Sequence, residues 1–141
     1  MSTDADAVRY CLRAFADAQV TQFYPLWNRI NQKVGRIIAP VQFRIYRSDS
    51  GRDAAYIVLG VEFSRTDGTQ IGWSVRLNAS ADQMEVSAGV ELTDDDGNRE
   101  LFGRKAIAAS APQAAEFIMA FSAEICSHDE CIPLSAASGA A

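Results

Sequence analysis

From Ala54 to Thr93 apolar residues recur at every second position in three successive runs. Ile57, Leu59, Val61 and Phe63 form the first, Ile71, Trp73, Val75 and Leu77 the second, and Met84, Val86, Ala88, Val90 and Leu92 the third. Side chains of an extended chain alternate between faces, so each run commits one face to a core. Thr66-Asp67-Gly68 and Ala79-Ser80-Ala81-Asp82 separate the runs and consist of residues that tolerate tight turns. The pattern predicts an antiparallel meander. Val41 to Ser48 alternates in the same way and predicts a preceding strand, with Ser48–Asp53 as its hairpin loop. Asp94-Asp95-Asp96-Gly97-Asn98 reads as the next turn and Arg99–Ile107 as a fifth strand. In that strand Leu101 and Phe102 are adjacent and Arg104-Lys105 follows, which suits an edge that must avoid pairing with other chains.

The period lengthens at both ends of the chain. Asp4 to about Ala39 reads as helical, with Thr3 and Asp6 at its start and Val8, Leu12, Phe15, Gln19 and Phe23 on one stripe beside Cys11 and Ala18. Pro25 lacks an N–H and disfavours helix at Tyr24, so a kink or break is expected there. A second helical segment then carries Leu26, Ile30, Val34 and Ile37 or Ile38 and stops at Pro40. Ser110-Ala111-Pro112-Gln113 has the capping-box arrangement and opens a last helix reaching about Cys126. The expected architecture is α+β: a five-stranded antiparallel meander with two N-terminal helical segments and one C-terminal helix packed on one face. Residues 1–134 are expected to form one domain and 135–141 a mobile tail.

If the ladders face the helices, the opposite sheet face is left over. It carries Arg44 and Tyr46, then Tyr56, Gly60 and Glu62, then Gly72 and Arg76, then Glu85, Gly89 and Glu91. A mid-strand glycine falls on this face in three successive strands, with Gly103 next in line. Such glycines mark sheet curvature or the close approach of another backbone or ligand. This surface is therefore the candidate partner-binding site.

Composition narrows the function classes. The charge of -5 is unevenly spread: residues 1–47 carry seven Lys/Arg against three Asp, and the remainder six against fifteen acids. That balance argues against non-specific nucleic-acid binding, which needs clustered cations. No apolar run approaches the roughly 18 residues that span a bilayer, and the acidic N-terminus does not resemble a secretory signal. A cytoplasmic protein with reduced thiols is expected.

Candidate chemistry is sparse. Cys126, His128 and Cys131 offer three zinc ligands, with Cys11 a fourth if the first and last helices pack together. The spacing matches no standard finger, and Cys126 reads better as core with His128 as a cation at a helix C-terminus. No metal and no other cofactor is expected. A Cys–His nucleophile is equally unsupported, because residues two apart at a helix end do not face one another. Asp94-Asp95-Asp96-Gly97-Asn98 lacks the acid that a calcium loop needs at its twelfth position, where Lys105 stands. Arg29, Lys33 and Arg36 share one side of a helix and read as a solvated face.

These observations point to a small acidic, non-enzymatic protein-binding module of chaperone or immunity (inhibitor) type. Secretion chaperones and toxin-immunity proteins have loosely comparable small acidic architectures. The expected partner is another protein, basic where the acidic part attracts it, or a second copy forming a homodimer; neither nucleic acid nor membrane is expected. The alternative is a small-molecule-binding protein or enzyme with a pocket between sheet and helices near Tyr24, Trp27 and Trp73.

Overall fold

The computed structural model describes residues 3–47, 55–80 and 83–129. The Ser48–Asp53 loop, Ala81, Asp82, Cys131 and the expected tail at 135–141 lie outside the described residues. Five strands follow one another in space as in sequence: β1 Gln42–Arg47, β2 Ala55–Ser64, β3 Gln70–Ala79, β4 Met84–Asp94 and β5 Gly97–Ala108, each antiparallel to its neighbour. The meander is as the alternation predicts. Its β2–β3 turn is closed by Gly68 N–H donating to the Arg65 carbonyl at 3.0 Å, with Gly68 at φ 89°.

The N-terminal segments do not part at Pro25. α1 (Thr3–Ala18) passes through a π-helical turn at Gln19–Phe23 into α2 (Tyr24–Val34) without a non-helical residue between them. Among the described residues there are thus two long helices, the first of them bulged, where two N-terminal helical segments and one C-terminal helix were expected. The wide turn has a local cause. Pro25 brings no N–H, and Tyr24 N–H donates five residues back to the Gln19 carbonyl. Absorbing a residue in this way also corrects the buried stripe. Cys11, Phe15 and Ala18 are buried before the bulge, and Phe23, Leu26 and Ile30 after it. Phe15 and Phe23 are eight apart, which in an unbroken α-helix sets them roughly 80° out of line. Gln19, expected on that stripe, is only half-buried.

α2 also stops earlier than Pro40. Gly35 takes φ 74° and donates to the Asn31 carbonyl at 3.0 Å, the left-handed C-cap that glycine makes readily. The strap that follows is tied back to the helix. Ile38 N–H donates to Asn31 Oδ1 at 2.9 Å and Trp27 Nε1 to the Ala39 carbonyl at 3.0 Å. Ile38 is thereby buried while Ile37 is 79 % exposed.

α3 (Ala111–Cys126) begins with the expected cap: Ser110 Oγ accepts from Gln113 N–H at 3.2 Å, and Gln113 Oε1 accepts from Ala109 N–H at 2.6 Å. It lies across β3, β4 and β5 and against α1, and α1 reaches β2 and β3. All three ladders point at these helices. Ile57, Leu59, Ile71, Val75, Leu77, Val86 and Val90 are fully buried in one cluster with Phe15, Phe23, Ile118 and Ile125. Each such side chain contributes about 1.5–3 kcal/mol of burial free energy.

One polar contact fastens the two helices across about a hundred residues of sequence. Asp129, in the 3-10 turn Ser127–Asp129 after α3, is 2 % exposed and accepts from Arg29 Nε at 2.9 Å and Arg29 Nη2 at 3.3 Å. Arg29 Nη2 also donates to the Cys126 carbonyl at 2.8 Å, and Lys33 Nζ stands 3.5 Å from Asp129 Oδ2. Burial by itself would raise the Asp129 carboxyl, but the hydrogen bonds and charge of Arg29, with Lys33, hold it below the ordinary 3.8. The helix face read as solvated is therefore spent on this clamp. Arg36 donates to the Ser64 carbonyl at the end of β2.

Asp129→Asn leaves Arg29 without its anion and is expected to cost about 2 kcal/mol, read as a lower urea midpoint at unchanged slope. The folded-state pKa lies below the unfolded 3.8, so the wild-type advantage is complete above that pH. It fades as pH falls through the folded value, and the two proteins converge in acid.

Candidate functional site

The side chains on the outer face are ordered by register into rows that cross the strands. Gly60, Ser74, Gly89 and Gly103 stand opposite one another in turn, with Gln42 closing the row at β1. The small residues of this row form a trough across β2, β3 and β4. On one bank lie Arg44, Val58, Arg76, Ser87 and Lys105. On the other lie Glu62, Gly72, Glu91 and Glu100. Cations thus occupy one bank and carboxylates the other. Beyond the cationic bank, Tyr46 and Tyr56 pair across strands with ring centroids 5.8 Å apart, and Glu85 forms an ion pair with Lys105 at 3.8 Å.

All ten outer-face residues expected from the alternation share this face. Gly72 is set one row away from the other glycines, between Glu62 and Glu91. Lys105 joins the site by ordinary alternation from Gly103, and Glu100 joins it because β5 contains a bulge. Val90 pairs with Phe102 but Glu91 with Glu100, leaving Leu101 without a partner and turning Glu100 outward. That extra residue explains the broken alternation of the fifth strand.

The row has a backbone reason at one end and a side-chain occupant at the other. A Cβ on Gly60 would lie 2.6 Å from the Trp73 carbonyl oxygen, so only glycine lets β2 and β3 approach there. At Gly103 the Glu100 carboxylate occupies the space a Cβ would take. Between these ends Arg76 divides the face into two depressions. One of about 240 Å³ lies over Gly60 and Gly72, and another of about 550 Å³ lies toward Ser87 and Gly103. Arg76 Nε is buried and has no hydrogen-bond partner among the described residues. Arg44 donates to the Tyr46 hydroxyl at 3.5 Å, and that bond, with the charges of Tyr46 and Glu62, raises its pKa further.

Tyr24, Trp27 and Trp73 are not gathered into one site. Trp73 is 1 % exposed in the core and stacks on Phe63 at 6.4 Å, Trp27 is tied to Ala39, and Tyr24 is 42 % exposed. Neither Tyr24 nor Trp27 lines either depression, or the groove of about 910 Å³ between α1 and α3 that Tyr10, Ala14, Pro112 and Met119 flank.

The cysteines are also apart. Cys11 Sγ lies 3.8 Å from the Ala111 carbonyl at the start of α3, whereas Cys126 ends that 16-residue helix. The rise of an α-helix separates those ends by roughly 22 Å, so Cys11 does not complete a site with Cys126 and His128. Burial pushes the Cys11 thiol up to about 11 and the Cys126 thiol up to about 12, which keeps both protonated and unreactive near neutrality. His128 instead stacks on Phe102 with centroids 3.9 Å apart. The Arg104 guanidinium lies 4.4 Å from the same ring and pairs with Glu124 at 2.9 Å, fastening α3 to β5. Among the described residues no group of three His, Cys, Asp or Glu side chains is placed to hold a metal ion, and no helix is long and apolar enough to cross a membrane.

Set against known protein families, curated proteins and solved structures, the chain matches none of them.

The two central glycines should respond differently to a methyl group. Gly60→Ala drives a Cβ into backbone and is expected to cost about 1–3 kcal/mol. At Gly72 the nearest atom is Glu62 Cβ at 3.3 Å, so Gly72→Ala should lower the melting temperature clearly less. Thermal unfolding of both variants measures the difference.

Proposed function

We propose that this chain is a non-enzymatic protein-binding module whose docking surface is the outer face of its sheet. The observation that carries the reading is the zoned trough. A line of glycines and serine is flanked by cations on one side and carboxylates on the other, on the face away from both helices. Orientation, more than affinity, is what such an arrangement provides, because a partner set the wrong way round meets like charges. The face carries both signs, so its match is a surface that is itself zoned, not a uniformly basic one.

The role is that of a chaperone-like or inhibitor-like protein that covers a partner's surface without transforming it. Two buried thiols that stay protonated suit a cytoplasmic setting. A small-molecule role has less support. The space between sheet and helices is filled by Trp73, Phe15, Phe23 and Ile118, all at most 1 % exposed.

Site-specific photocrosslinkers distinguish the surfaces in native lysate. A crosslinker replacing Val58 or Ser87, on the outer face, is expected to give defined protein adducts. One replacing Glu116 or Ala123, on α3, is expected to give few. Equal yields from both faces, or none from the sheet, would count against the proposal.

A further inference from the structure

We infer that the occupant of the outer sheet face is the same face of a second copy of this chain, making a face-to-face homodimer; this rests on the reading of that face as a docking surface. The face is complementary to itself under a two-fold rotation. Consider a line along the Gly60–Ser74–Gly89 trough, lying midway between two facing sheets. A half-turn about it sets every strand over its own counterpart and exchanges the two banks. The cations of one copy then lie over the carboxylates of the other, and the same happens in reverse because a two-fold interface is isologous. Few charged surfaces complement themselves in this way; a uniformly acidic or basic face repels its own copy.

Arg76 gives the sharpest match. On β3 the position across the trough from it is Gly72, flanked on β2 by Glu62 and on β4 by Glu91. Arg76 of one copy therefore meets the partner's Gly72, a gap with a carboxylate on either side. A planar guanidinium suits that arrangement, since its fork of N–H groups pairs with carboxylates in more than one direction.

Size and shape agree. Five strands spaced by about 4.8 Å and four rows spaced by about 6.6 Å cover on the order of 600 Å² per copy, or about 1,200 Å² in total. That reaches the lower end of specific interfaces, roughly 1,200–2,000 Å². The central stretch at Gly60, Ser74 and Gly89, almost without side chains, lets the two sheets reach the roughly 10 Å separation of packed sheets along their centre line. A polar interface of this size predicts a dimer in exchange with monomer, weakened by salt.

Sedimentation velocity of the full chain, from roughly micromolar to millimolar concentration, tests this. The wild type is expected to dimerise within that range at low salt and to shift toward monomer in about 1 M NaCl. Arg76→Glu sets carboxylate against carboxylate, and the paired change Glu62→Arg with Glu91→Arg sets cation against cation. Each should weaken self-association about tenfold or more. An equimolar mixture of the two should recover a heterodimer, which also shows that both are folded. Should either variant fail to fold, the wild-type salt series decides, and a dimerisation constant indifferent to salt overturns the proposal. So does a wild type that stays monomeric, or a dimer unaffected by these substitutions, which would place the contact elsewhere, as in the α1–α3 groove. If the dimer fails while crosslinks from Val58 and Ser87 to another protein persist, only the occupant is wrong. If both fail, the docking reading falls with it.

Discussion

The side-chain period of a β-strand is two, and the whole molecule is arranged around that constraint. Once Ile57, Trp73 and Val90 face the helices, their neighbours have no choice but to face away. The outer surface is therefore not an independent design but the complement of the core. Its charged rows are as strictly registered as the apolar ladders beneath them, because the same hydrogen bonds set both. A slip of one residue in β3 would send Trp73 to the surface and Arg76 into the core, and the burial of Trp73 and Val75 makes such a slip prohibitive.

The layer of helices needs its own fastening. Apolar packing is weakly directional, and a helix can slide over a ladder of branched side chains at modest cost. The hydrogen bonds from Arg29 to Asp129 and to the Cys126 carbonyl give the end of α3 a fixed point on α2. On the opposite side, His128 against Phe102 and Arg104 against Glu124 give it a second fixed point on β5. The C-terminal end of α3 is therefore held from two directions. Both attachments lie off the outer face, so that surface keeps its shape without contributing side chains to the fastening.

How much of this was legible in the sequence divides along the range of the interactions. The ladders, the turns at Gly68 and Gly97 and the Ser110 cap are local, and each was readable from a few consecutive residues. The end of α2 was misplaced at Pro40, although Gly35 five residues earlier is the residue that takes the left-handed cap. What stayed hidden is nonlocal. The π turn depends on how Phe15 and Phe23 meet one core, and the clamp joins Arg29 to Asp129 across the length of the chain. The division of the outer face into a cationic and an anionic bank requires the register of all five strands at once, and the Leu101 bulge shifts that register in β5. Alternation alone assigned the ten residues to one face but left their neighbours across the strands undetermined.

The bulge opposite Val90 and Glu91 has a bearing on how the protein resists uncontrolled growth. β5 is the last strand of the described sheet, and its open backbone would otherwise be a template for another strand. A residue that falls out of step, followed by Arg104 and Lys105, spoils the even spacing a docking strand would need. Polymerisation along that edge of the sheet is thereby discouraged.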